Sequence, residues 1–570
     1  MHQDFHVAVN PLSAAVPIRH GSVPRENATD FRRDTVKFSA QLAELLRRIH
    51  FVAGMFVGPF MLVAALSGAL YAIAPTLEDV AYHQQKTVEA VSDPIPLADQ
   101  ISAAHREHPD LEIGEVWPAD SSTDSTRVLL TDPQTPDANP LAVFINPGNG
   151  EVLGAYSSNS GLGELPLRFW ISQLHKNLHL GETGEIYSEV AASWLWVLAL
   201  GGLWLWWRRV RTAKARLEKG NAEKTPAASV SAATAAKSTA RAAGKTESTG
   251  KTEVAGETKR ARPSMWRGAP AEKGSRRAML NGHAVVGVWL IVVLLGLSAT
   301  GITWSRFAGA NVSSIAESQD WKTAPMNLEL DSSSGSGAGA KDPAEIADEA
   351  ATVVASAKNS GLTGPLRMYV PEDASSAWKV SERWVPWRTT ADQVGIDGRD
   401  GTLVDEIRFS DLSLFSKLTS WGIYLHMGIM FGLPLQLMLL VAALGIALIV
   451  VQGYRMWWRR GAGAMLRQRW PGRGLVRWRA HLLMMVLALV VGQLLPLLGI
   501  SLAAFLVVDV AFNQWNARRA RSRKRPRGGA GRSDRDKKSD RKDQADREGE
   551  PLEVEVLPDR SGLRAGLPVE

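Results

Sequence analysis

Apolar segments recur in this chain with matching residues at matching intervals, and this repetition limits its possible folds more than any other feature. His50 opens one apolar segment and His283 opens another. A glycine follows each histidine four residues later, at Gly54 and Gly287. A second interval, of 251 residues, separates three further pairs: Gly150 from Gly401, His175 from His426 and Trp206 from Trp457. Self-similarity of this kind predicts a duplicated unit with one histidine on each helix.

The composition excludes several classes of protein. The chain of 570 residues is 45% hydrophobic, with apolar segments separated by very polar stretches, so it is not a plain soluble enzyme. Many of its 20 tryptophans lie at the ends of apolar segments, as in the aromatic belt of a membrane protein. The absence of cysteine excludes disulfides, thiol catalysis, cysteine-ligated clusters and covalently attached c-type haem. A redox cofactor would therefore need histidine, methionine or carboxylate ligands.

Four segments are long and apolar enough to cross a bilayer. We predict membrane helices at residues 47–74, 187–209, 279–304 and 428–460. Each helix has an arginine pair at one end, and the positive-inside rule predicts that these ends and the N-terminus lie in the cytoplasm. The chain is therefore predicted to be a multi-pass protein of the cytoplasmic (inner) membrane. The alternative for the first helix is a signal peptide cleaved near Ala72-Ile73-Ala74.

The segments between these helices alternate in location. Residues 75–186 and 305–427 are predicted to be two small extracytoplasmic α+β domains, because residues 145–153 and 396–404 both read as strand, glycine turn and strand. Three polar segments are predicted to be disordered and cytoplasmic: residues 1–46, 210–278 and 513–570.

A last apolar segment, residues 480–512, is interrupted at Pro496. A single crossing would put the basic C-terminal tail outside, against the positive-inside rule, so we predict a hairpin of two short helices that returns the tail to the cytoplasm. On a membrane protein, such a tail is expected to face anionic lipid or to fix topology, and no nucleic acid partner is predicted.

Four histidines are candidate metal ligands. The topology puts His50 and His283 at the cytoplasmic ends of two helices, and His175 and His426 at the outer ends of the other two. If the two histidines at the same membrane surface pair, they form two bis-histidine haem b sites. Pairing of the two histidines within one repeat is impossible, because they lie on opposite sides of the bilayer, roughly 30 Å apart. The mainly helical core would thus carry one haem near each membrane surface.

Three further residues bear on this interpretation. Gly54 and Gly287 leave room beside the first-layer histidines for a flat porphyrin, although close helix packing through small residues is the alternative explanation. His179 competes with His175, since it lies one helical turn away. The repeat favours His175, because His179 aligns with Met430.

The order of these motifs resembles the PepSY-associated transmembrane proteins, often labelled iron-regulated membrane proteins, which include bacterial siderophore reductases. The resemblance covers about 45–210 and 280–512. It is carried by His50-x-x-x-Gly54, Ser67-Gly68-Ala69-Leu70, Leu174-His175-Lys176, Leu180-Gly181-Glu182-Thr183-Gly184, Val143-Phe144-Ile145-Asn146-Pro147, Trp457-Trp458-Arg459-Arg460 and Pro496-Leu497-Leu498-Gly499-Ile500-Ser501-Leu502.

The resemblance implies a di-haem b reductase that passes electrons outward to a ferric siderophore or similar iron chelate, in support of iron acquisition. Its haem ligands would be His50, His175, His283 and His426, with no separate catalytic residue, and its electrons would come from membrane quinol or a cytoplasmic donor. The second outer segment departs from the PepSY pattern around Asp397. The alternative is a non-catalytic membrane scaffold whose PepSY-like domains bind or inhibit an extracytoplasmic protease or cell-wall partner.

Overall fold

The computed structural model describes residues 25–135, 138–159, 162–239, 263–268, 271–330, 341–459 and 478–524. The chain divides into two compact units, residues 1–510 and 511–570. The helices of the described residues are α1 (Arg25–Phe56), α2 (Gly58–Ala72), α3 (Ala74–Ala81), α4 (His83–Lys86), α5 (Leu97–Glu107), α6 (Pro166–Asn177), α7 (Glu182–Thr239), α8 (Arg276–Thr303), α9 (Arg306–Ser318), α10 (Pro343–Asn359), α11 (Leu414–His426), α12 (Leu433–Trp458), α13 (Trp478–Leu494) and α14 (Pro496–Lys524). The strands are β1 (Glu112–Trp117), β2 (Thr126–Thr131), β3 (Leu141–Ile145), β4 (Val152–Ser157), β5 (Leu366–Tyr369), β6 (Trp378–Glu382), β7 (Gln393–Ile396) and β8 (Leu403–Ile407).

The described helices include four that are long and apolar enough to cross a membrane: Glu182–Lys219 within α7, Arg276–Thr303, Leu433–Trp458 and Pro496–Trp515 within α14. The bent pair Ala40–Phe56 and Gly58–Ala72 passes the same test when it is counted as one span. The protein is therefore mainly helical, as the apolar segments predicted.

The first predicted membrane helix, residues 47–74, is not straight in the structure. It breaks at Val57, and its two parts, α1 and α2, meet at an angle of 58°. The cause is local, because Pro59 lies in the first turn of α2, where a proline lacks an N–H and cannot continue the preceding helix. The bend lies between His50 and Ser67, so it changes the direction of the chain from one histidine layer to the other.

The last two described helices, α13 and α14, fold back on each other around Leu495. Nε2 of His481 lies 2.9 Å from Oδ2 of Asp509, so two residues on opposite sides of the break meet near the start of α13. Gly492 and Gly499 face each other beside the break. Pro496 begins the second helix and accounts for the interruption.

The two outer segments form one sheet, not the two separate α+β domains expected from the sequence. All eight strands are antiparallel neighbours in the order β4-β3-β2-β1-β5-β6-β7-β8. The seam is the pairing of β1 with β5, where Glu115 lies opposite Tyr369 and Val116 opposite Met368. Strand edges pair readily with other strands, and joining the two halves here removes one exposed edge from each.

One face of this sheet is covered by α5 and α10. Buried side chains from both halves form a single core there, among them Val116, Val128, Met368 and Val380, all fully buried. On the opposite face, Trp117, Leu129 and Phe144 pack with Leu165, the residue that precedes α6, and with Tyr82. This face is therefore next to the start of the helix that carries His175.

Helical structure extends into the three segments that were predicted to be disordered. Helix α1 begins at Arg25, α7 continues to Thr239 and α14 continues to Lys524. These extensions are rich in alanine, lysine, glutamate and arginine, which have high helix propensity even without an apolar face. Residues 1–24, 240–262 and 525–570 lie outside the described part of the chain.

The close contact at the hairpin break makes a testable prediction. A Cβ added at Gly499 would overlap the Cα of Gly492 and lie 2.9 Å from the carbonyl oxygen of Ala488. Gly499→Ala should therefore lower stability by about 1–3 kcal/mol, measured as a reduced midpoint of thermal unfolding in detergent. The matched control is Gly296→Ala in α8, where no atom lies within 4 Å of the added Cβ. Equal midpoints for the two variants would contradict the packed hairpin.

Candidate functional site

The first histidine pair joins the two halves of the chain. His50 on α1 and His283 on α8 face each other with ring centroids 6.3 Å apart and ring planes at 90°. Glycines on two other helices make room for these rings. A Cβ on Gly202 of α7 would lie 3.0 Å from Cε1 of His50, and one on Gly453 of α12 would lie 3.9 Å from Cε1 of His283.

Gly54 and Gly287, the two glycines singled out from the sequence, border open space. No atom lies within 4 Å of a Cβ built on Gly54, and a Cβ on Gly287 would meet one atom, Cδ1 of Ile449, at 4.0 Å. Neither glycine is therefore required for close packing of helices within the described residues. Their lack of a side chain leaves volume beside the first pair.

The second histidine pair lies at the ends of two helices, α6 and α11. His175, near the end of α6, and His426, at the end of α11, have ring centroids 6.4 Å apart and planes inclined by 43°. Tyr71 stacks on His175 at 5.9 Å, and Trp304 makes an edge contact with His426 at 6.1 Å. Gly68 lets His175 approach α2, since a Cβ there would lie 2.9 Å from Cε1 of the imidazole.

The sequence left His179 as a competitor for His175. In the structure the ring of His179 lies against Trp170, with centroids 5.0 Å apart, and its side chain is exposed. Its backbone leaves the helix in the left-handed region, with φ of 57°. The histidine placed beside His426 is therefore His175.

Hydrogen bonds determine which ring nitrogen carries the proton in each histidine of the second pair. Oγ of Ser67 donates to the carbonyl of Val63 at 2.9 Å, so it is available to accept from Nδ1 of His175, 3.1 Å away. The second half repeats this arrangement. Oγ1 of Thr300 lies 2.9 Å from the carbonyl of Gly296 and 2.6 Å from Nδ1 of His426. With the proton on Nδ1, the lone pair of each ring is on Nε2.

In the first pair, one of the two histidine rings is held by a similar hydrogen bond. Nδ1 of His283 lies 2.9 Å from the carbonyl oxygen of Ile449, which can only accept, so the proton again belongs on Nδ1. Nδ1 of His50 is buried without a hydrogen-bond partner among the described residues. Three of the four imidazoles are thus held as the tautomer whose Nε2 can donate its lone pair to a metal.

The electrostatics of the second pair favour neutral imidazoles. Burial, together with the nearby His175, lowers the pKa of His426 to about 4, because two adjacent cations would repel each other. Burial also lowers the pKa of His175. Both rings are therefore uncharged at neutral pH, as a metal ligand must be.

The spacing of both pairs fits a metal held between two imidazoles. With about 2.0 Å for each metal–nitrogen bond, two ligands on opposite sides of one metal place their ring centres roughly 6 Å apart. A histidine that binds metal through one nitrogen usually donates the other N–H to a carbonyl or similar acceptor. Each pair supplies two ligands, and a porphyrin would supply the four nitrogens that complete an octahedral iron. The donor set therefore fits haem b.

The structure also contains a buried polar cluster that sequence reasoning missed. Arg48 of α1 lies 3.1 Å from Oδ2 of Asp509, which also contacts His481. All three side chains are buried. The sequence had one signal, since Asp509 is the only charged residue in the apolar segment 482–512, and acidic residues within membrane segments are costly unless paired. The cluster attaches the C-terminal hairpin to the helix that carries His50.

Comparison with known families agrees with this architecture. The model of the PepSY-associated TM region matches residues 47–460, which is more than half of the chain. The chain belongs to this family. Together with the four long apolar helices of the described residues, membership identifies the PepSY-associated protein as a membrane protein. No curated protein matches the chain.

The buried cluster of this PepSY-associated protein makes a second prediction. Asp509→Asn keeps the size of the side chain but removes the closer of the two carboxylates that the buried Arg48 contacts, with Glu44 remaining at 3.5 Å, and should cost about 3 kcal/mol. We expect a clearly lower thermal unfolding midpoint in detergent. The control is Glu317→Gln, which removes an exposed partner 2.6 Å from Lys322 and should change the midpoint little. Similar shifts for both variants would show that the buried pair is not structurally important.

Proposed function

We propose that this membrane protein is a di-haem b reductase that passes electrons outward to a ferric siderophore or similar iron chelate. The observation that carries the proposal is the facing of His50 with His283 and of His175 with His426, at ring separations of 6.3 and 6.4 Å. Each haem, when bound, supplies an iron that takes up and releases one electron at a time.

The residues of the chain have three roles in this proposal. The four imidazoles would hold the two haems through Nε2, with His50 and His283 at one site and His175 and His426 at the other. Ser67, Thr300 and the carbonyl of Ile449 hold Nδ1–H and so fix the orientation of three rings. Tyr71 and Trp304 pack against the second pair and exclude water from it.

The two sites lie near opposite ends of α8. Seventeen residues separate His283 from Thr300, the residue that holds His426, and at 1.5 Å per residue this corresponds to about 25 Å along the helix. Arginines at 47–48, 208–209 and 276–277, with Arg459, lie at the His50 end of their helices, and the positive-inside rule supports a cytoplasmic location for this end. Electrons would then enter near His50 and leave near His426, at the outer surface of the inner membrane.

The overall reaction balances without a further reactant. A membrane quinol, or a cytoplasmic reductant, provides the electrons. Oxidation of one quinol releases two protons and two electrons, and these two electrons reduce two chelated ferric ions to ferrous ions. Reduction weakens the hold of hard oxygen ligands on iron and so favours its release.

The first test is the haem content of the purified protein. A reduced-minus-oxidised absorption spectrum should show b-type haem at close to two per chain, since each histidine pair completes one site. Extracted pyridine haemochrome provides the count. A colourless preparation from haem-replete cells would exclude the reductase and favour a scaffold that binds an extracytoplasmic protease or cell-wall partner.

The second test separates the two sites. His175→Ala removes one ligand of the second pair and leaves His50 and His283 in place, so about half of the haem should be lost while the remaining spectrum keeps its b-type form. The matched control is His179→Ala, four residues away, where the exposed ring lies against Trp170. Two haems per chain in both variants, with unchanged spectra, would show that His175 is not a ligand.

A further inference from the structure

The sheet face opposite α5 and α10 carries a cluster of cations around one tryptophan, Trp117. The guanidinium of Arg127 lies 4.6 Å from the ring centroid of Trp117, with Arg383 at 5.0 Å and Arg367 at 5.1 Å. Lys379 lies 5.3 Å from the ring of Tyr369, which the guanidinium of Arg367 also contacts. We call the four positive side chains the cation cluster. It lies on both sides of the β1–β5 seam.

Among the described residues, only one of the four cations of this cluster has a carboxylate in direct contact. Arg367 forms two hydrogen bonds of 2.8 Å with Glu115, and this accounts for one cation. No described carboxylate lies within 4 Å of the charged nitrogens of Arg127, Lys379 or Arg383. Nε of Arg383 is buried and has no hydrogen-bond partner among the described residues. Among the described residues, these three cations therefore have no direct ion pair, and the carboxylates nearest to two of them act from a longer distance: Glu78 and Asp79 on Arg127, and Asp120 and Asp124 on Arg383.

Burial of these groups is unfavourable without an anion. Burial lowers the pKa of Arg127 to about 10, with a further contribution from the positive charge of Arg383. Burial also lowers the pKa of Lys379 and of Arg383. Charged groups that are removed from water need a partner of opposite charge to offset the loss of hydration. Arg367, Lys379 and Arg383 keep some accessible surface, so such a partner can reach them.

The cation cluster is connected to the second histidine pair through a short chain of contacts. Arg127 donates to the carbonyl oxygen of Gly163 at 3.0 Å. The next residue, Glu164, accepts a 3.0 Å hydrogen bond from the hydroxyl of Tyr71, whose ring stacks on His175. A ligand held by the cluster would therefore lie on the sheet side of His175.

We propose that the cation cluster binds the anionic oxygen groups of the iron chelate, which makes the preferred substrate a negatively charged chelate with carboxylate or catecholate groups. This inference rests on the reductase function proposed above. Arginine binds such oxygens in bidentate geometry, and the cluster offers several uncommitted N–H groups. The same carboxylate chemistry is present on a haem propionate, so the test distinguishes the two sources.

The experiment measures binding with chelates that cannot be reduced. Gallium(III) diethylenetriamine pentaacetate is a dianion, and gallium(III) triazacyclononane triacetate is neutral; neither accepts an electron under these conditions. Binding to the full-length protein in nanodiscs is measured by equilibrium dialysis with gallium counting. The wild type should bind the dianion more tightly than the neutral complex. Combining Arg127→Gln with Arg383→Gln should weaken binding of the dianion by about tenfold or more.

The controls separate binding from folding. Arg399→Gln changes an arginine in the turn between β7 and β8 that already contacts Asp397 at 2.6 Å, and it should leave binding unchanged. If the double variant fails to fold, Lys379→Gln, which changes a half-buried side chain, should still weaken binding of the dianion severalfold. Haem content and the redox potential of each haem are recorded for every variant.

Each outcome has one meaning. Weaker binding of the dianion with unchanged haem content identifies the chelate as the anion. Lost haem or a shifted potential, with unchanged chelate binding, identifies a haem propionate as the anion. If neither property changes, the cation cluster is not an anion site. A haem-free protein that still binds the dianion through these residues would exclude the reductase function but not this site.

Discussion

The fixed orientation of the imidazoles is the constraint on which the remainder of the site depends. A histidine ring can rotate and can carry its proton on either nitrogen, so two facing rings define a metal site only when both freedoms are removed. Ser67 and Thr300 remove them for the second pair because their own hydroxyl protons are engaged with backbone carbonyls one turn earlier. The hydroxyl oxygen must then accept, and the ring must donate.

Buried contacts around the start of α6 stabilise this arrangement. Glu164 joins several elements, since it accepts from Tyr71 and lies 3.3 Å from Arg168 of α6. The backbone N–H of Leu165, which precedes α6, donates to Glu78 at 2.8 Å. These buried contacts hold the beginning of α6, and therefore the position of His175 at its other end. Burial raises the pKa of Glu164, although Arg168 opposes that shift.

Much of the site could be predicted from the sequence because helix geometry converts spacing into position. A regular rise per residue placed His50 beside His283 and His175 beside His426 in separate layers, and the structure brings the same histidines together. The boundaries of α8 and α12 differ from the prediction by a few residues, as capping and fraying allow, whereas α1 and α7 extend far beyond it into polar sequence. Whether these pairs bind haem stays a prediction.

Other features depend on contacts between residues far apart in the chain, which spacing does not encode. The pairing of β1 with β5 joins segments about 250 residues apart, so the outer halves looked like separate domains. The bend at Val57 did have a local signal in Gly58-Pro59, but the run of apolar residues concealed it. The contacts of Arg48 with Asp509 and of Arg383 with Trp117 had no periodic signal, because each combines one residue from each of two distant elements.

Each half of the chain contributes one imidazole to each layer. The half that contains α1 and α6 provides His50 and His175, and the half that contains α8 and α11 provides His283 and His426. A half expressed alone would thus present one imidazole at either level, and it would have to dimerise with another copy of itself to bring two imidazoles together. Covalent fusion of the halves makes the assembly of both sites independent of protein concentration.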